Sequence, residues 1–209
     1  MGAVVVVAVL ALAAAAVSGV GRGGNGGAAS GSGPGSGSAG GGGAAVMQLG
    51  PPPWRADTVG LRARLDAAGL AALSAEGQVL HTHEHIDVLV DGKPVTVPAN
   101  IGINQTERFI SPIHTHDDSG IIHVESPTLQ EFTLGEFFDV WGVRFGDGCI
   151  GGECASGTRV LSVYVNGTAV TGDPRALVLA PHQEIVVAMG TPAQLPNPVP
   201  ATFQFPEGL

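Results

Sequence analysis

Residues 81–97 read His81-Thr82-His83-Glu84-His85-Ile86-Asp87-Val88-Leu89-Val90-Asp91-Gly92-Lys93-Pro94-Val95-Thr96-Val97. Asp-Gly between two alternating apolar runs is a strong short-range hairpin signal, so His83–Val97 is expected to form two antiparallel strands. Successive side chains on a strand point to opposite faces. An extended 81–90 therefore puts His81, His83 and His85 on one face and Ile86, Val88 and Val90 on the other. That is a strand with a row of imidazoles on one side and a core-facing apolar row on the other.

Six of the seven histidines fall between His81 and His123. The second cluster, His114-Thr115-His116-Asp117-Asp118, sits in a polar stretch at 99–120 that reads as an irregular loop. His123 and Glu125 follow on a short strand, Ile121–Glu125, with Ile122 and Val124 on its opposite face. Imidazole is the commonest metal ligand among side chains. Along a strand, i and i+4 lie about 13 Å apart, too far for one ordinary ion, whereas i and i+2 lie about 7 Å apart and can converge. At most two of the first three histidines can thus serve one ion. His83 and His85, nearest the well-formed part of the strand, are the expected pair, with His81 fraying. The expected metal set is His83, His85, His114, His116 and His123, with His81, Asp117, Asp118 and Glu125 as further candidates. Asp117 and Asp118 can ligate or can orient the rings from behind. Imidazole-dominated sites suit Zn²⁺ or Cu²⁺. A purely polar or pH-responsive histidine face is the bland alternative.

Outward from this region, Asp57–Ala68 reads as a short amphipathic helix capped by Asp57 or Thr58 and closed by Gly69. Thr133-Leu134-Gly135-Glu136 is a capping box opening a second helix with Phe137, Phe138 and Trp141 on its apolar side. Leu161–Asn166 and Gln183–Met189 read as strands, the first ending in an Asn166-Gly167 turn. His182 is expected in a turn. Ile86, Val88, Val90, Phe137, Phe138, Trp141, Val163, Val165, Ile185 and Val187 form the expected core. From Pro192 a tail with five prolines should run extended, pinned by Phe203 and Phe205.

The order hairpin, helix, strand, strand resembles the β-grasp (ubiquitin-like) fold, especially its sulfur-carrier branch. The resemblance rests on Val90–Val95, Phe132–Phe138, Val163–Gly167 and His182–Val187. It implies an α+β domain, a β-grasp-like mixed sheet packed on one helix, with the histidine-bearing loop as an insertion. The activated Gly-Gly terminus of sulfur carriers has no counterpart in Pro206-Glu207-Gly208-Leu209. His81–Gly92, His114–Glu125 and Phe132–Gly142 together also resemble an exported histidine-rich family of actinobacteria and archaea, for which no activity is implied.

Ala3–Val17 is an unbroken apolar run, so residues 1–20 read as a signal peptide or a weak membrane anchor, although no basic residue precedes the run. Residues 21–53, rich in Gly and Ser and closing on three prolines, read as a disordered linker. Residues 54–191 form one domain and 192–209 the tail. An extracytoplasmic location, with a tether through the N-terminus, is the expectation. Cys149 and Cys154 are the only cysteines. A disulfide closing that short loop suits an oxidising compartment, and the rival thiolate metal site would need further ligands nearby. The formal charge of −9 and the absence of a basic stripe argue against nucleic acid.

No nucleophile elbow, phosphate loop or dinucleotide fingerprint is present. The favoured reading is a transition-metal-binding protein for handling, sensing or storage. The alternatives are a metal-dependent enzyme with an open His-ligated position and a non-catalytic interaction module.

Overall fold

Asp91 and Gly92 both take positive φ, 51° and 74°, the geometry a two-residue hairpin turn demands. The turn joins β1 (Leu80–Val90) to β2 (Lys93–Val95). In the computed structural model residues 46–209 are described; the apolar segment 1–20 and the linker up to residue 45 lie outside the described residues.

Among the described residues the fold is mixed α+β, mainly sheet, with two α-helices. The remaining strands of the main sheet are β5 (Ile113–His114), β6 (Ile121–Ser126), β10 (Val160–Val165), β11 (Thr168–Ala169) and β12 (Glu184–Gly190). Between them run two small ribbons, β3 (Ile103–Asn104) with β4 (Phe109–Ile110), and β7 (Phe145–Gly146), β8 (Cys149–Ile150) and β9 (Glu153–Cys154). The main sheet runs β11-β10-β12-β1-β6-β5. β1 is its spine. One edge pairs in parallel with β12 over His85–Val90. The other edge pairs with β6 over Leu80–His85 and then with β2 over Val88–Val90.

Helix α2 (Leu134–Trp141) begins with the expected capping box. The Thr133 N–H donates to Glu136 Oε2 at 2.7 Å, and the Glu136 N–H donates to Thr133 Oγ1. Phe137, Phe138 and Trp141 are fully buried and share one core with Ile86, Val88, Val90, Val163, Ile185 and Val187. Val165 is half-buried rather than buried, because β10 is covered on its outer side only by the two-residue β11.

Three expectations need correction. Helix α1 spans Leu61–Ala68, starting four residues late behind Gly60, with no side-chain cap; Asp57 instead accepts from the Val59 N–H in a tight turn. The 99–120 stretch is not a plain loop, since it contains β3, β4 and β5, and His114 lies on a strand. Residues 46–53, read with the linker, meet the domain: Gln48 donates through its N–H to the Gly142 carbonyl and brackets Arg55 with its side-chain amide. The sheet is covered on both faces at β12. Val186 and Ala188, on the face opposite Ile185 and Val187, are buried too, and the proline-rich tail lays Phe203 flat against His85 there, with ring centroids 3.7 Å apart.

Cys149 and Cys154 stand directly opposite each other on β8 and β9 and form a disulfide. Among the described residues, no helix is long and apolar enough to cross a membrane.

Candidate metal centre

Strand register builds the site. His83 on β1 is the cross-strand neighbour of His123 on β6, and His123 is the neighbour of His114 on β5. Three imidazoles therefore form one row across three adjacent strands, and His81 opposite Glu125 forms the next row. Between His114 and His116, the buried Thr115 is tied down from both sides. Its N–H donates to the Ile101 carbonyl and its hydroxyl to the Pro98 carbonyl. With Thr115 turned inward, its two neighbours share the other side.

The histidines meet in two pairs. His81 Nε2 lies 3.1 Å from His83 Nε2, and His114 Nε2 lies 3.1 Å from His116 Nε2. His123 and Glu125 stand between the pairs. His81, His83, His123 and Glu125 offer donor atoms all within 4.8 Å of one another, and so do His114, His116, His123 and Glu125. Ligands sharing an ion at about 2.0–2.1 Å stand within about 4.2 Å of one another, so small side-chain adjustments bring either group onto one ion. His81 and His116 are half-exposed, with side chains 50% and 42% accessible, while His83, His114 and Glu125 are buried. The centre therefore opens to solvent along one rim.

The tautomer of His114 is set by its surroundings. Its Nδ1 lies 3.0 Å from the Ser111 carbonyl oxygen, which can only accept, so Nδ1 carries the proton and Nε2 presents its lone pair. Burial and the neighbouring His116 push this ring's pKa down to about 3. Burial, with His116 and His83 close by, lowers that of His123 to about 4. His83 is lowered as well, first by burial and then by His81. At neutral pH these rings are uncharged and offer lone pairs without competition from protons.

Glu125 shows the reverse effect. Burial and the adjacent Glu76 carboxyl push it above the usual carboxylate range. Glu76 also lies 3.4 Å from His116 Nε2. Among the described residues, no Lys or Arg pairs with either carboxyl; their partners are histidines. Two buried polar atoms in the centre, His123 Nδ1 and Glu125 Oε2, lack a hydrogen-bond partner among the described residues. Buried polar groups are normally satisfied, and a cation among these lone pairs and carboxylates would satisfy both. The donor set fits a transition-metal ion.

Of the residues singled out from sequence, the fold brings His83, His114, His116 and His123 together, along with His81 and Glu125. It separates His85, Asp117 and Asp118 from them. His81 does not fray; it pairs with His83, held by β1's register with β6. His85 turns to the β12 side, where both its ring nitrogens are engaged: Nδ1 lies 2.7 Å from Glu184 Oε2 and Nε2 3.0 Å from the Ser119 carbonyl. Asp87 and Glu184 could complete a separate donor group with it, but both of its ring nitrogens are already engaged within the fold, away from the other histidines. Asp117 accepts from the Ser119 N–H and hydroxyl, and those donors, ahead of His123 and His116, hold its carboxyl below the usual range. Asp118 is exposed.

Glu76 was not legible from sequence. It reaches the site because Gly77 lies almost on the β6 backbone, where an added Cβ would fall 2.1 Å from the Ser126 carbonyl carbon. The close approach of that glycine is the one local signal in a segment that otherwise reads as loop.

Compared with protein-family models, curated proteins and solved structures, the chain gives no match to any of them.

Proposed function

We propose that this chain is an extracytoplasmic transition-metal-binding protein that takes Zn²⁺ or Cu²⁺ on its histidine face, for handling, sensing or storage. The observation that carries the reading is the convergence of five imidazoles and Glu125 from β1, β6 and β5 with the turn just after it, with buried donor atoms left without partners. Neutral imidazoles with one carboxylate favour borderline ions of this kind. The half-exposed His81 and His116 give an ion a way in and out, which suits exchange more than permanent structural retention. The disulfide is compatible with an oxidising location. Support for a β-grasp-like arrangement comes from β1 and the last strand, β12, running parallel at the sheet centre with α2 sharing their core. The likeness to exported histidine-rich proteins of actinobacteria and archaea belongs to the same reading.

Titration calorimetry of the full chain with Zn²⁺ and Cu²⁺ tests it. Stoichiometric binding at micromolar concentration or tighter is expected. His83→Ala combined with His116→Ala should abolish it. His81→Ala should weaken it, and His182→Ala and His85→Ala should leave it intact. Absence of binding, or loss on His85→Ala with His81→Ala silent, would refute the assignment. Metal-dependent turnover of a test ester, phosphate or oxygen substrate would instead move the protein to the enzyme class.

A further inference from the structure

The donor atoms are more numerous than one ion needs, and they are divided. Each four-donor grouping contains His123, Glu125 and one histidine pair, and no grouping within 4.8 Å contains both pairs. One ion cannot therefore sit on His81, His83, His114 and His116 together. Each pair has the same build, a buried imidazole (His83 or His114) beside a half-exposed one (His81 or His116). Between them Glu125 has two oxygens in different circumstances. Oε1 lies 3.2 Å from His81 Nε2 and 3.4 Å from His123 Nδ1, while Oε2 is buried without a hydrogen-bond partner among the described residues.

We propose that the face holds two metal ions, one on the His81/His83 pair and one on the His114/His116 pair, bridged by the Glu125 carboxylate. This rests on the metal-binding reading above and deepens it from one ion to a coupled pair. A carboxylate offering one oxygen to each ion spans roughly the 3.5–4 Å typical of two-metal centres. His123, which stands in both groupings, completes one of the two shells. The second carboxyl, Glu76, lies beside His116 at the rim and adds negative charge on the His114/His116 side. Two divalent ions facing two carboxylates and five imidazoles also remove the like-charge conflict between Glu76 and Glu125.

Native mass spectrometry and Cu²⁺ titration of the full chain, followed by electron paramagnetic resonance, test the proposal. Two Cu²⁺ per chain are expected. The spectrum at one equivalent should be that of an isolated ion, and at two equivalents its integrated intensity should fall as the spins couple through the bridge. His81→Ala with His83→Ala should bind one ion and keep the uncoupled spectrum, and His116→Ala should spare the ion on the other pair. Glu125→Gln should remove the coupling and weaken the second ion by more than the roughly 10- to 100-fold that loss of an outer-shell partner brings. Circular dichroism of each variant, with native-like signal required, separates lost ligands from lost fold. Saturation at one ion per chain, with both pairs needed for it, overturns the two-ion centre while leaving the metal-binding reading standing. No binding at all overturns both.

Discussion

Glu84 shows how far a single residue's setting can depart from its sequence context. It lies between two histidines of the first cluster, yet alternation turns it to the opposite face, where it is fully buried. Its one side-chain partner is the Thr82 hydroxyl, which donates to Oε1 at 2.9 Å. Burial raises its pKa to about 7, against the small opposing effect of that hydroxyl. A carboxyl whose folded pKa is raised contributes fully below its unfolded value and loses that contribution as pH rises through the folded one. Glu84→Gln, which keeps the acceptor for Thr82 and cannot ionise, should thus stabilise the protein by about 3 kcal/mol at pH 8 and leave it nearly unchanged at pH 4. Urea denaturation at the two values checks this; equal effects at both would show that Glu84 is not ionised by folding-linked titration. The face of Glu84 was legible from period-two alternation, and so were His83 and His123. The choice between His81 and His85 was not. Both lie two residues from His83 on the same face, and what separates them is the neighbouring strand, β6 with Glu125 for one and β12 with Glu184 for the other.

At the scale of elements, local signals were read where they are chemically distinctive. The Asp91-Gly92 and Asn166-Gly167 turns both adopt the paired positive φ values they require, and the Thr133 capping box forms. Thr133→Ala removes the acceptor for the Glu136 N–H and should lower stability by about 1 kcal/mol, measurable as a shift in denaturation midpoint without a change of slope. Elements lacking such signals were missed. β3, β4 and β5 are two residues each, too short for any period to show; β3 and β4 pair with each other, and β5 forms because the longer β6 pairs with it. β5 matters most, since its pairing of His114 with His123 joins the two clusters into one centre. Gly77→Ala should be more damaging than an ordinary loop substitution. Its Cβ would collide with backbone of β6, so the 70s segment must move away and carry Glu76 from the rim. A reduced metal affinity, larger than that of Glu76→Gln alone, is the expected calorimetric result.

For the whole molecule, the buried histidines make metal-free stability depend on acidity. His114 and His123 have folded pKa values of about 3 and about 4 against an ordinary 6.5. Below pH 6.5 the unfolded chain takes up protons that the folded chain refuses, so stability falls as pH drops from 6.5 toward those values. At pH 5 the two rings together remove about 4 kcal/mol, and Glu84, relieved over the same interval, returns about 2; Glu125 acts in the same sense as Glu84. The melting temperature of the metal-free protein should therefore decline between pH 6.5 and 5, and decline more steeply in Glu84→Gln. A flat profile would mean that the rings are less buried than the fold implies. Zn²⁺ added at pH 7 should raise the melting temperature, since an ion that binds the folded chain alone stabilises it.

The position of β1 gives these effects a reach beyond the histidines. Its eleven residues are one uninterrupted backbone, gripped by β6 at one end and by β12 at the other, with His85 facing both. It works as a splice between two half-sheets, β6 with β5 carrying ligands on one side and β12 with β10 on the other. Ligation at His81 and His83 restrains one end of a backbone whose other end pairs with a strand a hundred residues away in sequence. Amide hydrogens of β12, which touch no ligand, should for that reason exchange more slowly with deuterium once the ions are bound.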